Sequence, residues 1–160
     1  MKLTIQDSVR TFIMGPEMLA IAVVALFAEF LPQIAVLIGT KIQEGQFAVT
    51  SSVIGAPVAL TVGTWYLTRD LLRPSDEHRK TLVEWPEYWR LTLRAQCALL
   101  WTLVGVASAS IGLVLVFALH PRIGAAAILS GVLVAAIATV TVALANLVVR
   151  DILDGARPGG

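Results

Sequence analysis

This 160-residue chain is poor in charge and has almost no cysteine. Only 14% of its residues are charged, where a soluble domain carries about a quarter. A water-facing globular surface cannot be built from so few. The formal net charge is +1, which excludes the basic field of a nucleic-acid binder. Cys97 is the only cysteine, so neither an intrachain disulfide nor a multi-thiolate metal site can form. The two histidines, His78 and His120, are far apart and have no partner at metal-ligand spacing. The amino-terminal stretch of residues 1–17 lacks the basic region and adjoining apolar core of a signal peptide, so the first apolar segment is expected to be retained.

Apolar residues are what the chain has in excess. They make up 57% of the total, with a mean hydropathy of +0.80. They gather into four segments, at about 18–40, 47–68, 95–118 and 123–149. Each is long enough to cross ~30 Å of hydrocarbon, since a helix rises ~1.5 Å per residue. The expected fold is an all-α integral membrane protein: one membrane domain of four transmembrane helices, multi-pass in the cell inner membrane. A polar turn at 41–46 and a short turn at 120–124 join the outer ends. The cytoplasmic loop 69–94, broken at Pro74 and Ser75, is too short for a core of its own. Trp85, Tyr88 and Trp89 read as interfacial aromatics leading into the third span, with Pro86 in its first turn.

The lysines and arginines orient the spans. Lys2 and Arg10 precede the first one. Arg69, Arg73, Arg79, Lys80, Arg90 and Arg94 lie in the central loop, and Arg150 and Arg157 in the tail. Only Lys41 and Arg122 fall on the other side. The positive-inside rule therefore predicts both termini in the cytoplasm. Asp70, Asp76, Glu77, Glu84 and Glu87 dilute the loop's attraction to anionic lipid, and a solvated loop or a docking surface is the simpler reading.

Two spans carry small residues every fourth position. Ser51, Gly55, Ala59 and Gly63 form one stripe, and Ala127, Gly131, Ala135, Thr139 and Ala143 the other. Such stripes let helices approach closely, within the chain or against a partner. Asn146, near the end of the last span, can bridge helices, and Cys97 reads as a small buried side chain.

Glu29 is the one ionisable residue in the first span, near its middle, and a carboxylate there must face protein, water or an ion. Gln33 follows four residues later on the same expected face, which Ala22, Ala25 and Leu26 continue. A carboxylate and an amide oxygen are hard ligands for sodium, calcium or a proton, and Thr50, Ser51 and Ser52 would add hydroxyl oxygens if a helix were broken or tilted. The competing reading is a buried, protonated Glu29 bonded across a helix interface. No nucleophile–base pair, phosphate loop or haem-binding histidine pair is present, so no enzyme and no cofactor are expected.

Residues 31–63, LPQIAVLIGTKIQEGQFAVTSSVIGAPVALTVG, resemble the α-repeat of the cation/calcium antiporter superfamily, to which sodium/calcium exchangers belong. That family carries a Leu-Pro-Glu motif on one helix and a Gly-Asn…Gly-Ser-Asn pattern on the next. Leu31 and Pro32 match, and Gln33 stands at the ion-binding glutamate. Ser51 and Ser52 stand at Gly-Asn, and Gly55 matches, while Ala56 and Pro57 replace serine and asparagine. The resemblance implies an incomplete single repeat, with Glu29, Gln33 and Ser52 as the remnant of a cation site. Two functions follow from it. One is an accessory or structural subunit of a larger membrane complex on a degenerate transporter-like scaffold. The other is a cation or proton transporter, or a subunit of one, using Glu29. The partners expected are other membrane subunits or a second copy, lipids and a small cation; no nucleic acid.

Overall fold

The computed structural model describes residues 15–72, 85, 88–118 and 120–155. Among them the chain is entirely helical: α1 (Pro16–Phe30), α2 (Pro32–Glu44), α3 (Gln46–Leu72), α4 (Tyr88–Phe117) and α5 (Pro121–Gly155). The basic residues of 73–84, the Asp7–Arg10 region, Pro86 and the tail from 156 lie outside the described residues. Helices α4 and α5 are each long and apolar enough to cross a membrane, and α1 with α2 make a third candidate if the bent pair counts as one span.

The first expected span, 18–40, is not one helix. Helices α1 and α2 meet at 101°. Proline has no N–H, so Pro32 cannot donate to the Ala28 carbonyl one turn back, and it disfavours helical backbone at Leu31. Leu31 accordingly sits at φ −125°, ψ 55°. Its N–H closes the last turn of α1 on the Phe27 carbonyl (2.9 Å), and its carbonyl accepts from Ile34 and Ala35 to open α2. Pro32 takes the first position of α2, where a missing N–H costs nothing. The hydropathy of this segment is continuous; its backbone is not.

Helices α4 and α5 form the central hairpin. Glycines face glycines across it: a Cβ on Gly105 would lie 2.6 Å from the Gly131 carbonyl oxygen, and one on Gly112 would lie 2.7 Å from that of Gly124. These backbones touch because neither helix carries a side chain at the crossing. Ser108 bonds across to the Ala127 carbonyl at 2.9 Å. Helix α3 runs parallel to α5, with Thr64 and Thr139 hydroxyls 2.8 Å apart and Asn146 donating to the Leu67 carbonyl at 3.0 Å. Asn146 thus bridges helices as its position suggested. The Tyr88 hydroxyl reaches back to the Leu71 carbonyl (2.7 Å), satisfying an acceptor in the last turn of α3.

Two apolar clusters mark the ends of the bundle. Ala20, Leu71, Ala98, Trp101, Val142 and their neighbours form one, where α1 and α4 begin and α3 ends. Ile42, Leu113, Val116 and Ile128 form the other, where α2 lies against the end of α4 and the start of α5. Helix α1 thus runs from the first end to the second, α2 lies at the second, and α3, α4 and α5 alternate between them. Cys97 is buried, as expected.

The first end contains an ion pair. Glu17, in the first turn of α1, is fully buried, and both its oxygens accept from Nη2 of Arg94, at 2.7 and 2.8 Å. The Arg94 side chain is 22% exposed, and its Nη1 is buried with no hydrogen-bond partner among the described residues. Gly15 backs the pair: a Cβ there would collide with the Glu17 carboxylate and lie 2.8 Å from Arg94 Nη1. A carboxylate in the first turn also lies at the positive end of the helix dipole.

Candidate functional site

The break after Phe30 decides what becomes of Glu29. Expected at mid-span, it instead lies level with the first turn of α5, at the second end of the bundle, and is 76% exposed. Its Oε2 accepts from Nη2 of Arg122 at 2.6 Å. Nε of the same guanidinium donates to the Ala28 carbonyl at 3.0 Å. That carbonyl is the acceptor orphaned by Pro32. One cation therefore neutralises the only carboxylate of the elbow, supplies the missing donor, and lies at the negative end of the α1 dipole.

Gln33 does not share a helix with Glu29. It opens α2, exposed, on the far side of the 101° bend. Ser51 and Ser52 are exposed on α3, and the Thr50 side chain lies outside the described ones. Among the described residues, no hydrogen bond joins Glu29 to Gln33 or Ser52; Glu29 pairs with Arg122. Among the described residues no three His, Cys, Asp or Glu side chains converge as a metal ion would need.

A cavity of about 550 Å³ opens at the elbow, between the α1–α2 bend and the start of α5. Glu29, Arg122 and His120 bring its polar atoms, and Ala28, Val36 and Ala126 supply apolar wall. In the sequence, His120 and Arg122 stand only in the short turn at 120–124. The signal for the pairing was available only as sign: Arg122 is one of two cations that the positive-inside rule predicts opposite the basic loop, and Glu29 is the lone acid of the apolar segment 18–40.

The two small-residue stripes also part ways. Gly131 and Ala135 are buried against Gly105 and Ala109 of α4. On α3, Ser51, Gly55 and Ala59 are exposed, and a Cβ built on Gly55 or on Gly63 would meet no atom of another described residue within 4 Å.

The roles at the elbow differ in weight. Replacing Arg122 by Met is expected to cost about 1–2 kcal/mol, because it strands the Ala28 carbonyl of a buried residue. Replacing Glu29 by Gln removes an exposed ion pair and should change stability by no more than about 0.5 kcal/mol. Denaturant titration of both variants in the same detergent checks the order.

Comparison with protein families, with curated proteins and with solved structures gives no match. What stands, among the described residues, is a helical chain with two helices, or three candidate spans with the bent pair, long and apolar enough to cross a membrane.

Proposed function

We propose that the chain is an accessory or structural subunit of a larger membrane complex, built on a degenerate transporter-like scaffold. In this reading it crosses the membrane four times, α1 carrying the first crossing as far as the elbow, α2 lying at its far end, and α3 making the second. Both termini and the basic loop are cytoplasmic, and the elbow is on the opposite side. Discontinuous pairs of this kind recur in transporters, which fits the resemblance of residues 31–63 to an α-repeat.

The observation that carries the proposal is the open stripe of α3. The same four-residue spacing that brings α4 and α5 into backbone contact is left uncovered on α3, at Gly55 and Gly63. A helix of another subunit fits there at the same close distance. The elbow supports this over transport, because the Arg122 guanidinium, 2.6 Å from Glu29, repels a bare cation that would settle on the carboxylate.

The test is native mass spectrometry of the protein gently extracted from its own membrane. The expected result is a heteromeric assembly, lost or weakened when Gly55 is replaced by Leu. A homodimer alone would overturn the proposal in favour of the second reading, cation or proton transport through Glu29. That alternative draws on the cavity reaching the carboxylate, and it requires proteoliposome cation flux that disappears in Glu29→Gln.

A further inference from the structure

The elbow cavity has a composition that neither function uses. It sets one carboxylate and one guanidinium side by side, so its net charge is close to zero while both signs are presented. Neither group is consumed by the pairing. Glu29 engages only Oε2 and is 76% exposed; Arg122 engages Nε and Nη2, and its side chain is 41% exposed. Among the described residues, Oε1 of Glu29 and Nη1 of Arg122 have no hydrogen-bond partner. Apolar wall from Ala28, Val36 and Ala126 borders these groups.

We propose that this cavity binds the headgroup of a zwitterionic phospholipid bearing a primary ammonium, that is, a phosphoethanolamine group. The ammonium donates to Oε1 of Glu29, the phosphate accepts from Nη1 of Arg122, and the start of an acyl chain lies on the apolar wall. A simple anion suits the site less, because Glu29 would repel it. A simple cation suits it less because of Arg122. A trimethylammonium headgroup matches in charge but has no N–H to give the carboxylate. The inference rests on the membrane reading above, with the elbow at headgroup level, and is independent of whether the chain is an accessory subunit or a transporter.

The experiment is native mass spectrometry of the purified full-length chain in detergent, titrated with phosphatidylethanolamine, phosphatidylcholine and phosphatidylglycerol of identical acyl chains. Phosphatidylethanolamine should bind about tenfold tighter than phosphatidylcholine, one charge-assisted hydrogen bond being the difference. Water-soluble O-phosphoethanolamine should compete with it, and inorganic phosphate should not. Glu29→Gln should bring phosphatidylethanolamine down to the phosphatidylcholine level, with unchanged thermal stability. Equal binding of the three lipids, competition by inorganic phosphate, or selectivity surviving in Glu29→Gln would each overturn the proposal. Extraction of the protein from its native membrane by alkaline carbonate is scored separately, since release there removes the membrane reading itself.

Discussion

Replacing Arg94 by Ala is expected to destabilise the chain by about 3–5 kcal/mol, far more than any change at the elbow. The size follows from where Glu17 lies. Its side chain is fully buried, and both of its oxygens depend on one guanidinium nitrogen. Without Arg94 the carboxylate must remain charged in an apolar surround, take up a proton, or pull the start of α1 away from α4. Each route costs several kcal/mol. Arg122 supplies the contrast: it too meets a glutamate, at 2.6 Å, but that glutamate is exposed, so water takes over when the cation is gone.

A double-mutant cycle separates pair energy from burial cost. Glu17→Met with Arg94→Met should recover most of the loss, because an apolar pair of similar volume suits the Ala20–Ala98 surroundings. Denaturant titration in a fixed detergent reads the cycle. A loss below about 1 kcal/mol in Arg94→Ala would show that water reaches Glu17, and would remove the pair as the fastening of α1 to α4.

The sequence marks where the helices are far better than where they bend or which faces they cover. Helices α4 and α5 fall where the third and fourth apolar segments predict them, because length and hydropathy are local quantities. The bend at Leu31 was visible in principle as Pro32, yet an unbroken apolar run over 18–40 hides it. Hydropathy averages over residues and carries no information about a missing N–H. The displacement of Glu29 from mid-span to the end of the bundle is a consequence of that one proline. The two described ion pairs that join different helices link residues far apart in sequence, Glu29 with Arg122 and Glu17 with Arg94, so periodicity could not pair them. Glu17 in particular reads as one charge among the mixed residues of the amino-terminal stretch. Only the fold turns it into the most deeply buried acid described.

The stripes give the second large expectation, and a sharper one because two chemically identical changes should act with opposite sign. Gly131→Leu is expected to cost at least about 3 kcal/mol. A leucine Cβ there would lie against the Gly105 carbonyl and 2.8 Å from the Ala109 nitrogen, both backbone atoms that cannot rotate away. To make room, α4 and α5 must separate along the crossing that also holds Gly112 against Gly124. At Gly55 a Cβ would meet no atom of another described residue within 4 Å. In the isolated chain Gly55→Leu should be neutral or stabilising by up to about 1 kcal/mol, since glycine is the poorer helix former. Its cost should be confined to assembly, where a leucine on the open face holds a partner helix off. Denaturant titration of the isolated chain and native mass spectrometry of the membrane extract read the two effects independently. If Gly55→Leu leaves the assembly intact, α3 is a lipid-facing helix and the subunit proposal loses its main support. If Gly131→Leu is as stable as the parent chain, the hairpin is not held by backbone contact, and the spacing on α3 then predicts nothing about a partner.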